Sequence, residues 1–236
     1  MKASCSIVAE ILQLIREKIK PGITTYELEE IAVKETEKRK AKPAFKGYAG
    51  FPYALCCSPN DRVIHGMPDR RPLREGDILS IDFGVLYDEF YGDAAITVPV
   101  GKVSPEAESL MKTTEEALYF GINKAVSGGR LYDISNAVQT HVESSGYSVV
   151  RDFVGHGIGR KLHEEPQVPN YGVAGRGVSL KPGMVLAIEP MVNRGRYAVK
   201  VLEDGWTAVT ADGTLSAHFE HTVALTKNGP EILTVV

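Results

Sequence analysis

The sequence predicts an α/β chain of the α+β type, with a mostly antiparallel sheet and helices packed on one face. Two pairs of amphipathic segments, within residues 4–38 and 104–144, have the apolar spacing of helices. Each pair is followed by short segments rich in Ile, Val, Phe and Tyr, which is typical of strands. Because no linker or low-complexity segment interrupts the chain, we expect one domain over residues 1–236.

An internal repeat supports this organisation. The decapeptide Leu73–Asp82 matches Leu180–Glu189 in the character of each position. Two shorter motifs recur in the same order: Gly22-x-x-x-Tyr-Glu-Leu matches Gly128-x-x-x-Tyr-Asp-Ile, and His65-Gly-Met matches His156-Gly-Ile. The period is far too long for a solenoid. We therefore expect two related halves, residues 4–100 and 104–236, which meet in a pseudo-twofold arrangement with the functional site at their seam.

The helix boundaries have recognisable signals. The first helix is expected over residues 4–20, because Pro21-Gly22 ends it. Thr24 and Glu27 form a capping box for the second helix, and Ser104-Pro105 supplies an N-cap and an N1 proline for the third. The fourth helix is expected over residues 132–144.

Strands are predicted between and after these helices. The last two are expected at residues 218–226 and 232–236, with Asn228-Gly229 as their turn.

Composition excludes several classes of protein. The net charge of −3 favours neither nucleic acid nor a membrane surface as partner, and no apolar run is long enough for a membrane span. The three cysteines form neither a disulfide framework nor a C-x-x-C pair, which is typical of a reducing compartment. We expect a cytoplasmic protein.

The segment Leu79–Val98 predicts a hairpin that carries two carboxylates. Folding it about the Tyr87–Asp88 bond places Asp82 directly opposite Asp93, on one face of the sheet. Such carboxylates repel each other unless they share a proton or a cation lies between them. The alternative is two solvated aspartates at the rim of the sheet.

Further candidates for this site come from the second half of the chain. The full set is Asp82, Asp93, His156, His163, Glu189, Glu220 and His65. Four converging carboxylates would carry a charge near −4, which two divalent cations would neutralise. Carboxylates with one imidazole suit Mn, Fe, Co or Zn, and a metal pair of this kind performs hydrolysis.

Rival motifs are absent: the chain has neither H-E-x-x-H nor G-x-S-x-G, and its Gly155-x-Gly-x-Gly differs from G-x-G-x-x-G. Three other histidines are less strongly indicated as site residues. His218 shares a strand face with Glu220 and is a weaker candidate for the site, whereas His221 and His141 are expected to be structural.

Six motifs closely resemble the type I methionine aminopeptidases over essentially the whole chain. They are Asn60-Asp-Arg-Val-Ile-His65-Gly-Met-Pro68, Ser80-Ile-Asp82-Phe-Gly, Gly92-Asp93, Gly155-His156-Gly-Ile-Gly-Arg-Lys-Leu-His163-Glu-Glu-Pro166, Ile188-Glu189-Pro-Met and Phe219-Glu220-His-Thr. The resemblance implies the pita-bread fold of peptidase family M24, which has the same internal pseudo-symmetry. It also implies release of the initiator methionine from nascent proteins whose second residue is small, through a water or hydroxide that bridges two metal ions.

The resemblance implies a role for each candidate. The metal ligands would be Asp82, Asp93, His156, Glu189 and Glu220, with Asp93 and Glu220 shared by both ions. His163 would contact the scissile carbonyl and its tetrahedral intermediate. His65 would hydrogen-bond the scissile amide, and Glu189 would also carry the proton of the attacking water.

The same family pattern implies an apolar pocket for the methionine side chain. Its members would be Tyr48, Phe51, Cys56, Leu162 and Trp206, with His65 at the edge. Ordinary core packing is the alternative for each apolar member. Leu162 departs from the pattern, since bacterial relatives often have Phe there.

Two alternative functions are disfavoured by the sequence. A proline-directed peptidase of the same fold is disfavoured by the length of the chain. A catalytically silent protein that binds peptides or the ribosome is disfavoured by the intact ligand set, because clustered acids without metals oppose folding. The chain lacks the additional segments of the related subfamilies, so a minimal bacterial form is expected, and the family implies a monomer. Contact with the ribosome through Arg70, Arg71 and Arg74 is compatible with this function, but a solvated loop is the favoured interpretation of these residues.

Overall fold

The computed structural model describes residues 1–236, with four α-helices and a single 3₁₀ turn at Tyr48–Gly50. The helices are α1 (Lys2–Lys18), α2 (Thr25–Lys38), α3 (Pro105–Ile122) and α4 (Leu131–Ser144). None of them combines the length and apolarity needed to cross a membrane.

Fifteen short strands account for the rest of the regular structure. They are β1 (Lys42–Pro43), β2 (Leu55–Pro59), β3 (Arg62–Ile64), β4 (Ile78–Tyr87), β5 (Phe90–Pro99), β6 (Ser148–Val149), β7 (Gly155–Gly157), β8 (Glu164–Val168), β9 (Val185–Ile188), β10 (Met191–Asn193), β11 (Val199–Val201), β12 (Ala208–Thr210), β13 (Ser216–His218), β14 (Glu220–Thr226) and β15 (Gly229–Ile232).

One nine-stranded antiparallel sheet connects the two halves of the chain. Its strand order is β1-β4-β5-β14-β9-β7-β8, with β2 also paired to β4 and β15 to β14. The central pairing of β5 with β14 joins the first half to the second. Two three-stranded sheets, β13-β10-β6 and β11-β12-β3, complete the fold.

The four helices pack on one face of the large sheet, and the strand pleat decides which residues face them. On β4, the residues from Leu79 to Val85 at odd positions are buried against α1 and α2. On β9, Leu186 and Ile188 are buried against α3 and α4, and so is Val223 of β14. The residues between them point to the opposite face. The predicted fold class, an antiparallel sheet with helices on one side, is confirmed.

Helix ends follow the sequence signals closely. The Thr24 side chain accepts from the Glu27 N–H at 3.1 Å, and the Glu27 carboxylate accepts from the Thr24 N–H at 2.8 Å. The Ser104 hydroxyl accepts from the Ala107 N–H at 3.2 Å. The first helix covers residues 2–18 rather than 4–20, because Ile19 is already extended.

The same main-chain hydrogen bonds recur in both halves. Gly22 N–H donates to Leu73 O at 2.8 Å, and Gly128 N–H donates to Leu180 O at 2.9 Å. Gly76 N–H donates to Val100 O at 3.0 Å, as Gly183 N–H does to Leu225 O at 2.9 Å. Gly76 and Gly183 each have a φ of 95°. The two repeated decapeptides therefore begin in the same local geometry.

The end of the chain differs from the expectation. Strand β15 occupies Gly229–Ile232 rather than 232–236, and the turn is Lys227-Asn228 instead of Asn228-Gly229. Gly229 is itself a ladder residue opposite Thr226, with a φ of 115°. The predicted strand over 218–226 is also interrupted at Phe219, which divides it into β13 and β14.

Candidate metal centre

Four acidic side chains gather on the face of the sheet opposite the helices. Asp82 lies on β4, Asp93 on β5 and Glu220 on β14, while Glu189 directly follows β9. Each alternates with apolar residues that face the helices, so the pleat sends all four carboxylates to the other side. All four are at least 91% buried. The sheet thus brings four acidic groups together at a site that is largely shielded from water.

The hairpin register differs from the prediction by two residues. Asp82 lies opposite Ala95, and Asp93 lies opposite Gly84. The turn consists of Asp88 and Glu89, both with positive φ (48° and 65°), as a two-residue type I′ turn requires. The two aspartates are diagonal neighbours rather than a directly opposed pair, but a shift of two residues keeps them on the same face.

Small residues separate the candidate ligands within the sheet. Ala95 is the cross-strand partner of both Asp82 and Glu220. Ala187 is the partner of both Thr222 and His156. Because alanine side chains are short, they do not fill the space above the sheet between the acids and the imidazole of His156. This leaves room above the sheet for a bound ion.

His156 on β7 has a defined orientation. Its Nδ1 is 2.9 Å from the carbonyl oxygen of Gly157, so a proton on Nδ1 would be donated there. Its Nε2 then presents a lone pair and lies 3.5 Å from Glu189 Oε1. Ligand atoms of Asp93, His156 and Glu220 all lie within 4.8 Å of one another.

Electrostatics show that these acids need a positive partner. Burial raises the pKa of Asp82 to about 7, and the neighbouring Glu189 carboxyl adds to the rise. Burial also raises the pKa of Glu189, and burial together with the other acids raises the pKa values of Asp93 and Glu220 well above the usual range. One oxygen each of Asp82, Asp93 and Glu220 is buried without any hydrogen-bond partner. A divalent cation fits this donor set, because it satisfies both the charge and the vacant oxygens.

Two further histidines face the same site. The His163 ring lies 4.3 Å from that of His156, and its Nδ1 is 2.7 Å from the Tyr48 hydroxyl. His65 has a φ of 59° and packs edge-on against Phe153, with ring centroids 5.4 Å apart. Burial lowers the pKa of His163, and burial with the nearby His218 and His163 lowers that of His65 to about 4. Both rings are therefore neutral near pH 7.

A cavity of about 310 Å³ opens above these groups. It has an apolar wall in which Phe51 and Trp206 pack edge-on with centroids 5.2 Å apart. Every site residue expected from the sequence lines this one cavity: Tyr48, Phe51, Cys56, His65, Asp82, Asp93, His156, Leu162, His163, Glu189, Trp206 and Glu220.

Five further lining residues were not predicted: Phe45, Ile64, Asp152, Phe153 and Val154. Asp152, Phe153 and Val154 directly precede the Gly155-His156 motif, and proximity to that motif is the one signal that could have indicated them. Phe45 and Ile64 reach the cavity only through folding. His218, a weaker candidate from the sequence, is 1% exposed, and its Nε2 lies 3.5 Å from Glu189 Oε2.

Comparisons with known proteins agree with this geometry. The model of metallopeptidase family M24 matches residues 1–227. The methionine aminopeptidase of Clostridium perfringens is 58% identical over 236 residues, covering 100% of this chain and 95% of that protein. Methionine aminopeptidase 1 of Bacillus subtilis is 51% identical over the same length and coverage.

Solved structures give the same result. The crystal structure of methionine aminopeptidase from Thermotoga maritima superposes with a TM-score of 0.99 at 49% identity, covering 100% of this chain and 95% of that one. The prolidase from Pyrococcus furiosus has a TM-score of 0.81 at 22% identity, over 100% of this chain and 63% of that one, so the likeness extends to the fold alone.

Divalent ions should stabilise this protein more at about pH 8 than at about pH 6. The buried carboxyls have raised pKa values in the folded state, so without metal the folded chain binds more protons than the unfolded chain, and the free energy of unfolding falls as pH rises from about 4. Bound ions replace those protons, and at low pH the protons compete with them.

The measurement is thermal unfolding with a chelator and then with Mn²⁺. An ion concentration of about 100 times the dissociation constant should add about 2.7 kcal/mol to the free energy of unfolding. Asp88→Asn, at the exposed turn of the same hairpin, is the control and should keep the full shift. Equal stabilisation at both pH values would contradict the role of the carboxyls.

Proposed function

The chain belongs to metallopeptidase family M24, among the type I methionine aminopeptidases, and we propose that it removes the N-terminal methionine from nascent polypeptides whose second residue is small. The observation that carries the proposal is the position of four buried carboxylates and one imidazole beside an apolar cavity. A hydrolytic centre therefore lies next to a place for an apolar side chain.

The metal ligands in this proposal are Asp82, Asp93, His156, Glu189 and Glu220. Oxygen donors with a single imidazole favour Mn, Fe, Co or Zn over a metal that prefers thiolates. Two divalent ions would offset a charge of about −4. When bound, such ions lower the pKa of a water molecule and polarise a carbonyl group.

The pocket for the methionine side chain is formed by Tyr48, Phe51, Cys56, Leu162 and Trp206. Phe51, Cys56 and Leu162 are nearly inaccessible and belong to one apolar cluster, against which Trp206 packs. An unbranched thioether fits such a wall, because it is flexible and polarisable. The floor of the cavity is the sheet that carries Asp82, Asp93 and Glu220.

His163 is placed to stabilise the charge that develops on the scissile carbonyl oxygen. If the Tyr48 hydroxyl donates to Nδ1 at 2.7 Å, the proton of the neutral ring is on Nε2. That N–H then serves as a hydrogen-bond donor to the substrate oxygen. Partial desolvation lowers the pKa of the ring and favours its neutral form, although His163 itself is exposed at the mouth of the cavity.

Glu189 and His65 act on the attacking water and on the leaving amine. The Glu189 carboxylate accepts the proton of the attacking water and returns it to the leaving amine. His65 hydrogen-bonds the scissile amide and assists the departure of the amine. Its ring is fixed between Phe153 and Trp206, with centroid distances of 5.4 and 6.3 Å.

The proposal extends to the working state of the protein. We propose a monomer with a single catalytic domain over residues 1–236, made of two related halves. It would act in the cytoplasm, where chains with an N-terminal methionine are synthesised, and would meet them at or near the ribosome.

The direct test is peptide hydrolysis after Mn²⁺ or Co²⁺ is added to chelator-treated protein. Met-Ala-Ser should release methionine, because its side chain fits the pocket and its second residue is small. An X-Pro peptide should remain intact. Turnover of the X-Pro peptide instead would indicate a proline-directed peptidase, and turnover of neither would indicate a protein that only binds peptides.

Asp93→Asn should lower kcat for Met-Ala-Ser by about 100-fold or more, because a neutral amide replaces a charged ligand at the centre of the acid cluster. Its fold should persist, since Asn has the same size and the pKa of Asp93 already favours a neutral group there. Asp88→Asn on the same hairpin is the matched control. Parental turnover in the Asp93 variant would remove this residue from the site.

His163→Ala should lower kcat by about 10²–10³, the usual effect of removing one donor to a developing oxyanion. Metal content, measured by elemental analysis, should stay at the parental level, because His163 is not among the proposed ligands. His141→Ala on α4, remote from the cavity, is the control. A loss of metal from the His163 variant would make His163 a ligand and refute this assignment.

A further inference from the structure

A second buried imidazole, besides that of His156, touches the acid cluster without a role in the mechanism above. His218, the last residue of β13, is 1% exposed. Its Nε2 is buried and has no hydrogen-bond partner. Burying a ring nitrogen without a hydrogen-bond partner destabilises the folded protein. The groups around this nitrogen should therefore indicate its role.

The backbone of His218 is held firmly on both sides. The Thr97 hydroxyl of β5 bonds to the His218 N–H at 2.9 Å and to its C=O at 2.8 Å. The same hydroxyl is 2.9 Å from the Ser80 hydroxyl of β4. The ring therefore projects from a fixed point of β13, which these hydrogen bonds tie to the strands that carry Asp82 and Asp93.

The ring of His218 faces one oxygen of Glu189. Its Nε2 lies 3.5 Å from Glu189 Oε2, while His156 Nε2 lies 3.5 Å from Glu189 Oε1. Each carboxylate oxygen is thus next to a different imidazole. Glu189 has a further support on its main chain, where the Asn170 side-chain amide donates to the Glu189 carbonyl at 3.0 Å.

The two imidazoles differ in what their other nitrogen does. His156 has Nδ1 beside the Gly157 carbonyl at 2.9 Å, which leaves the lone pair of Nε2 for a metal. The ring nitrogens of His218 have no such carbonyl partner, so nothing opposes a proton on Nε2. With that proton, the Nε2–H of His218 is the donor next to Glu189 Oε2, at a separation of 3.5 Å that is just longer than a formed hydrogen bond.

We propose that His218 is a positioning residue for Glu189: its Nε2–H donates to Glu189 Oε2 and leaves Oε1 for the metal and for the proton of the attacking water. The inference rests on the proposed function for the role of Glu189, and the geometry of His218 supports it independently. Groups that orient a metal ligand commonly contribute about 10- to 100-fold to metal affinity or activity. His218 would act through Glu189 and would not touch substrate.

The test compares three substitutions: His218→Gln, whose amide can still donate, His218→Asn, whose amide is too short to reach Glu189, and His218→Leu, which cannot donate. Mn²⁺ affinity and stoichiometry are measured by calorimetry on chelator-treated protein. We expect His218→Leu and His218→Asn to bind Mn²⁺ about tenfold or more weakly with unchanged stoichiometry, and His218→Gln to recover most of the affinity. Should His218→Leu not fold, the Asn and Gln pair decides alone.

Three outcomes would overturn the proposal. Loss of a metal equivalent in every variant, Gln included, would make His218 a ligand. Unchanged Mn²⁺ affinity in all variants, with lower melting temperatures alone, would make it a packing residue. Equal affinity loss in the Gln and Leu variants would exclude a donor role. His141→Leu, an imidazole on α4 far from the acids, should keep parental affinity.

Hydrolysis of Met-Ala-Ser by the same variants provides a second measurement. The Leu and Asn variants should lose kcat at saturating Mn²⁺ with little change in KM, because the methionine pocket does not include His218, and Gln should restore kcat. A fall in affinity for substrate instead would contradict positioning of Glu189. If the parental protein releases no methionine, the proposed function fails, whereas the Mn²⁺ affinities still decide the role of His218.

Discussion

The uncompensated charge of four buried carboxylates is the constraint on which this structure depends. Asp82, Asp93, Glu189 and Glu220 are all nearly inaccessible, and three of them have an oxygen with no partner. Without cations, the fold can accommodate them only by binding protons, which is why burial raises their pKa values. A site built this way is stabilised by its metal, so metal binding and folding are thermodynamically linked.

The two faces of the large sheet have different roles: one packs against the helices, and the other carries the candidate site. One face buries apolar residues such as Phe83 and Leu186 against the helices, and this packing fixes the backbone. The other face carries the ligands, spaced by Ala95 and Ala187, which leave the floor open. Since successive residues alternate between the faces, the apolar neighbours of the acids, such as Ile81 and Phe83 beside Asp82 and Ile188 beside Glu189, pack against the helices.

Imidazoles surround the acids in distinct ways. The Nε2 atoms of His156 and His218 lie near opposite oxygens of Glu189, while His163 and His65 face the cavity. Their different hydrogen-bond partners, the Gly157 carbonyl for His156 and the Tyr48 hydroxyl for His163, give chemically similar rings different available atoms. The histidines therefore differ in role because their hydrogen-bond partners differ, although the residue type is the same.

The sequence by itself determined the fold class and the capping box at Thr24, and its motifs indicated acids and histidines that line one cavity, because pleat alternation, capping and motifs can be recognised without the structure. The tertiary structure alone decided the hairpin register, in which Asp82 faces Ala95 and not Asp93, because the choice depends on which residues adopt positive φ in the turn. The tertiary structure alone also brought His218 to Glu189 and Phe45 to the cavity. These contacts join segments that are far apart in the chain, and no local pattern indicates which distant segments will meet.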